Sequence, residues 1–269
     1  MRVGIGIALL AACSFHAPPA LTDGAIDDVP LDVPVDMPMS QRVTTGLVGF
    51  WTFDDPSGTT NVMDTAGTST PVPLHVETSA TIFPPTLAGG TITADMSARL
   101  LSSLSTHLAS DCLGAGAVSL EAWVKPQLAM QGDAGTPRFI AGIATNVVSR
   151  DVVLLQAGDK WIALVRTNGN AVGTPMLISQ SHPDPTKFTH LVVVADQNQR
   201  TLYVDDIAEA TDPMVGGPLG WDTTSSMALF QEPQGGRAWL GSIQIVAVYR
   251  HGLLPTEVDQ NFQLGPAAL

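Results

Sequence analysis

From residue 46 onward, apolar and polar positions alternate with a period of two. Leu47, Gly49, Trp51 and Phe53 interleave with Val48, Phe50 and Thr52, and residues 118–124 alternate likewise. This is the pattern of strands whose side chains point in turn to opposite faces. Similar stretches predict strands over 139–143, 152–156, 161–166, 191–195, 201–204, 238–241 and 243–249. Turn clusters separate them: Asp55-Pro56-Ser57-Gly58, Asn168-Gly169-Asn170, Asp196-Gln197-Asn198 and Gln234-Gly235-Gly236. Many short strands so spaced predict an all-β sandwich or jelly roll of antiparallel sheets. One short helix is predicted near the C-terminus, over 255–262. Pro255 sits in its first turn, and Glu257 and Asp259 suit its positive end.

The first 45 residues follow other patterns. Arg2 carries the one positive charge of the leading segment, residues 3–10 are apolar, and Ala11 and Ala12 are small. That is the layout of a signal peptide, and the apolar run is too short for a bilayer, which needs about 20 residues. Leu10-Ala11-Ala12-Cys13 resembles the lipobox of bacterial lipoproteins. The resemblance implies export, removal of residues 1–12, and a lipid on the Cys13 sulfur that partners the chain with a membrane. Ser14 stands where an aspartate would mark inner-membrane retention, which implies the outer membrane in a two-membrane envelope. Each buried methylene contributes about 0.8 kcal/mol, so two or three acyl chains anchor lastingly. The alternative is an ordinary secretory signal cut near Ala17 or Ala20. After Cys13, residues 27–38 repeat Pro, Asp and small apolar residues. Proline removes backbone donors and spaced carboxylates stretch the chain, so residues 13–45 are predicted to be a disordered tether. An edge strand over 29–35 is the weaker alternative, interrupted by Pro30 and Pro34.

Composition narrows the functional classes. Only 14% of residues are charged, with 25 acidic against 12 basic and a net charge of -13. A field of that sign repels phosphate backbones and argues against nucleic-acid partners; its plainest effect is solubility. Of the two cysteines, Cys13 is consumed by lipidation on this reading, which leaves Cys112 as a buried small apolar residue.

Five blocks carry a further resemblance. Residues 46–54, 118–126, 188–194, 201–205 and 240–249, the last followed by the predicted helix, resemble in order the strands of bacterial laminin-G-like, concanavalin A-like lectin domains. This implies a jelly roll of two antiparallel sheets over 46–264, with 265–269 as a tail. The chain departs from the family pattern at Asp206, where a turn glycine is usual. It departs again at Gln244, where an aspartate near a structural calcium is common.

Candidate chemistry is sparse. Glycosidases of this fold carry Glu-x-Asp-x-x-Glu on one strand, so that the carboxylates share a face. Here Glu77, Glu121, Glu209, Glu232 and Glu257 are dispersed. There is no zinc-protease motif, metal-spaced cysteine pair, phosphate loop or nucleophile elbow. Gly114-Ala115-Gly116-Ala117 reads as a turn, and His190 reads as structural. The chain is therefore expected to be no enzyme and to require no cofactor. Calcium is the one metal to weigh: Asp54, Asp55 and Asp64 lie in turns, and the resemblance singles out Asp64. Turn capping by the same aspartates is the alternative. For a sugar platform the candidates are Trp161, Trp221 and Trp239, with Trp51 and Trp123 read as core. Trp221, flanked by Gly220 and Asp222, is the foremost. The functional expectation is a non-catalytic module recognising glycan or protein at the cell envelope. A structural envelope protein is the second reading, and a carbohydrate-active enzyme the third.

Overall fold

Short apolar strands without long helices to cover them bury their faces against each other. The computed structural model describes residues 41–104, 106–167, 174–213 and 217–266, arranged as two eight-stranded antiparallel sheets. Cys13 and the tether up to residue 40 lie outside the described residues. The first sheet runs β14 (Ile207–Asp212), β13 (Arg200–Val204), β12 (Thr189–Ala195), β7 (Val118–Pro126), β16 (Gly241–Tyr249), β5 (Ile92–Ala94) and β4 (Thr86–Leu87). In it β1 (Leu47–Trp51) also pairs with β16. The second runs β11 (Leu177–Ile178), β10 (Lys160–Val165), β9 (Ser149–Ala157), β8 (Arg138–Asn146), β15 (Ser226–Leu229), β6 (Leu100–Leu101), β3 (Leu74–Val76) and β2 (Asn61–Val62). This is the expected jelly-roll sandwich.

Alternation sorts the side chains. Leu120, Ala122 and Val124 of β7, Leu191 and Val193 of β12, and Val152 and Leu154 of β9 fill the core between the sheets. Their neighbours are buried on the outer faces: Val192, Val194, Ile245 and Ala247 on the first sheet, Val153, Leu155, Ile162 and Leu164 on the second. Both faces being buried, β9 and β12 read as continuous apolar runs rather than strict alternations. Gly142 marks a close approach of β8 to β9: a Cβ there would lie 2.4 Å from the Val152 carbonyl oxygen.

Several elements differ from expectation. Residues 238–241 are not a strand of their own; Ala238 makes one bridge to Phe139, and β16 begins at Gly241. Gln244 sits in a bulge of β16, between the stretches that pair with β5 and β1. An unpredicted helix leads into the predicted glycine turn and takes in its Gly114 and Ala115: α1 (His107–Ala115) buries Leu108, Ala109 and Cys112. Gly116 closes it in the left-handed conformation, φ 67°, where its N–H reaches the Cys112 carbonyl. The predicted helix is α2 (Pro255–Leu264), its start held by Glu257, whose carboxylate accepts the Leu254 N–H at 2.8 Å.

The domain also begins earlier than Gly46. Arg42 and Val43, assigned to the tether by composition, are buried, and the reason is electrostatic. Glu121, from the 118–126 block, lies fully buried on the outer face of the first sheet. It accepts hydrogen bonds from Arg42, from His190 Nε2 (2.9 Å), from the Tyr249 hydroxyl (2.9 Å) and from Asn261 Nδ2 (2.9 Å). Burial alone would raise the Glu121 pKa, but Arg42 and His190 outweigh it and hold the group at about 2. Arg42 also donates to the Gly265 carbonyl, and the Val43 N–H reaches Asn261 Oδ1 at 2.9 Å. The glutamate and histidine of the recurring blocks thus join the two ends of the described chain to the sheet.

Candidate functional site

The site is best built from Asp64 outward. Asp64 is buried; Oδ1 accepts the N–H groups of Phe50 (3.0 Å) and Ala66 (2.9 Å), and Oδ2 accepts that of Val72 (2.9 Å). One carboxylate therefore shapes the whole 64–72 loop and ties it to β1. The Trp51 indole adds a bond to the Val72 carbonyl at 3.0 Å. Three of the four lone-pair positions of Asp64 are spent on backbone. Among the described residues, no group of three His, Cys, Asp or Glu side chains converges there or elsewhere. That donor set does not fit calcium, which takes six to eight oxygens. Asp64 acts as the turn-capping alternative required.

The loop it shapes carries Thr68, Ser69 and Thr70, which form one rim of a trench. Three adjoining hollows make it up. The first, about 460 Å³, lies over the second sheet and is lined by His75, Glu77, Ser102, Ser103, Thr145 and Ser226. The second, about 340 Å³, shares Ser103 and Leu104 with it and adds Thr70, Pro71, Pro73 and Thr106. The third, about 530 Å³, shares Thr70 and His107 with the second and adds Thr44, Thr68, Ser69 and Arg250. His107 bridges the rims: Nδ1 meets Asp111 at 2.9 Å, and Nε2 meets the Thr70 carbonyl at 2.8 Å. The hydroxyls of Thr68 and Thr106 are buried without a hydrogen-bond partner among the described residues. Such orphans are costly unless something supplies the missing bond.

None of the tryptophan candidates lines this trench. Trp161 and Trp239 are fully buried, and Trp239 donates to Gln156 Oε1 at 2.7 Å. Trp221 is not a loop platform: it is 5% exposed, packs in the inter-sheet core, and gives its indole N–H to the Arg166 carbonyl at 2.8 Å. The glycine and aspartate beside it mark a chain reversal, and the large apolar ring between them turns inward. Cys112 is buried beneath β16, and burial pushes its thiol far up. Trench residues went unforeseen because serines and threonines between strands read only as turns.

Close to the first hollow, Asp151 is buried with Ser225 Oγ at 2.6 Å, the Asp222 N–H at 3.3 Å and Arg166 Nη1 at 3.7 Å. Burial, helped by the neighbouring Asp222 charge, raises it from 3.8 to about 6 against those bonds. A carboxyl with a raised folded pKa stabilises the fold fully below its unfolded value, and that stability is lost as pH rises through the folded value. Unfolding free energy is therefore expected to fall by up to about 3 kcal/mol between pH 4 and pH 7 through this group. Asp151→Asn should flatten that slope in urea titrations; an unchanged slope would contradict the assignment.

Comparisons with known proteins bear on the fold. The family profile Laminin_G_3, described as the concanavalin A-like lectin/glucanases superfamily, matches residues 102–259. No curated protein matches the sequence. Among solved structures, Trypanosoma rangeli sialidase in complex with sialic acid is similar at 13% identity and a TM-score of 0.57, covering 81% of this chain and 32% of its own. The binding domain of botulinum neurotoxin DC in complex with rat synaptotagmin II aligns at 10% identity and a TM-score of 0.57, over 81% of this chain and 51% of that one. The same binding domain in complex with SialylT gives 9% identity, a TM-score of 0.54, and 82% and 51% coverage. The chain spans about a third to a half of the length of these structures, and the likeness is one of fold.

Proposed function

The chain belongs to the concanavalin A-like lectin/glucanases superfamily, and on that premise we propose that it is a non-catalytic glycan-recognition module held at the cell envelope by lipid on Cys13. The observation that carries the reading is the trench. Its three adjoining hollows and the serine and threonine side chains along them suit a chain of sugar rings. Binding rather than hydrolysis is supported by the state of the deepest glutamates. Glu121 is paired with Arg42 and Glu232 with Arg150, both fully buried, so neither is free to attack a glycosidic bond. Similar structures have been solved with sialic acid, with SialylT and with synaptotagmin II, which favours recognition of glycan or protein.

A protein partner is the second reading. A separate hollow of about 540 Å³ collects the exposed apolar side chains of Phe83, Met96, Leu128 and Met130. Exposed clusters of that kind mark protein contacts.

A glycan array probed with the full chain, with and without calcium, tests the proposal. The expected result is binding to one glycan class that falls at least about tenfold in Thr70→Trp, a change at an exposed rim position that fills the trench. Silence on the array in both conditions would transfer the proposal to a protein partner. Mass spectrometry of the mature chain reads the anchor: an acylated Cys13 at its start supports it, and a cut near Ala17 or Ala20 overturns it.

A further inference from the structure

We propose that the third hollow of the trench receives a carboxylate on Arg250, so that the glycan recognised is an acidic one built with uronic acid units. The inference rests on reading the trench as a glycan site and names the class of sugar it takes.

Arg250 follows β16 directly, and its backbone is fixed by a 2.8 Å bond from its N–H to the Gly46 carbonyl. Its side chain is exposed and lines the hollow with Thr44, Thr68, Ser69 and Thr70. Among the described residues its guanidinium has no ion pair and no hydrogen bond. Arg42, Arg99, Arg150, Arg166 and Arg200 each hold a carboxylate of this chain. Arg250 shares the lack of an ion pair with Arg138 and Arg237, and acidic residues outnumber basic ones by 25 to 12, so shortage of partners is not its cause; what sets Arg250 apart is its place in the hydroxyl-lined hollow. The one carboxylate in the same hollow, Asp111, is engaged by His107.

A guanidinium presents a rigid, planar fork of donors that matches a carboxylate through two parallel bonds. A uronic acid supplies that carboxylate together with ring hydroxyls. The hydroxyls suit the wall beside Arg250, where Thr44, Ser69 and Thr70 are exposed. A neutral sugar would satisfy the threonines and leave the cation unused. The net charge of -13 repels anions at long range, so the preference must come from contact at this one fork.

The test compares two probes of the same shape, an oligogalacturonate and its methyl ester, by calorimetry on the full chain and on Arg250→Gln. The expected result is roughly tenfold tighter binding of the acid than of the ester, with the ratio falling to about one in Arg250→Gln. Equal affinity for acid and ester in the unaltered chain overturns the carboxylate assignment and leaves the glycan site standing. A preference that survives in Arg250→Gln overturns the role of Arg250. Binding of neither probe, together with a silent array, removes the glycan reading and this inference with it. Polyglutamate that competes as well as the oligogalacturonate overturns the saccharide class and makes the hollow a site for acidic peptides.

Discussion

A chain that starts at Gly46 is expected to unfold about 3–5 kcal/mol more easily than one that keeps Arg42, because it leaves a buried carboxylate without its cation. Glu121 is fully buried, and Arg42 is the partner that most lowers its pKa. His190, Tyr249 and Asn261 remain as the other donors. Urea unfolding of the shortened chain and of Arg42→Ala measures the loss. Equal stability of the short and long chains would show that the ion pair is not what holds the two ends. The pH dependence has a defined sign. Glu121 is lowered from 4.5 to about 2, so its contribution is complete above pH 4.5 and is lost as pH falls from there toward 2. Asp151 acts in the opposite sense across the range from 4 to 6.

Trp221→Ala is expected to cost about 3–5 kcal/mol of stability, the range for deleting a buried tryptophan. The ring packs in the inter-sheet core, and its N–H satisfies the Arg166 carbonyl. The substitution therefore opens a cavity and strips a carbonyl of its partner. Trp221→Phe keeps most of the packing and should cost less. Thermal unfolding measures both. A Trp221→Ala protein of unchanged melting temperature that fails to bind glycan would return Trp221 to the surface role that its loop setting first implied.

That reversal shows what a single sequence discloses. Strands such as β7, β12 and β16 are legible because seven or more residues repeat one period and bury a face. Strands of two or three residues, such as β2, β4 and β6, carry too few side chains to display any period, and they form because longer neighbours offer them an edge. Helix α1 was hidden for a related reason: its Ser, Gly and Cys residues have weak helix preference, and packing of Leu108 and Cys112 onto the core decides the matter. Asp64 was found as a residue of consequence, but its partners are backbone N–H groups two to fourteen residues away, which no motif encodes. The trench was invisible for the same reason. Thr70, Ser103 and Arg250 become neighbours only when three separate links are folded side by side.

The node around Glu121 has a bearing on how such a domain sits in larger chains. The first described segment and the last touch there, Arg42 reaching across to Gly265. Entry and exit therefore share one doorway, and the polypeptide leaves almost where it arrived. A unit of this form occupies no more length along its host than a surface loop does. It can be added to a chain, or removed from one, without moving apart whatever stands on either side.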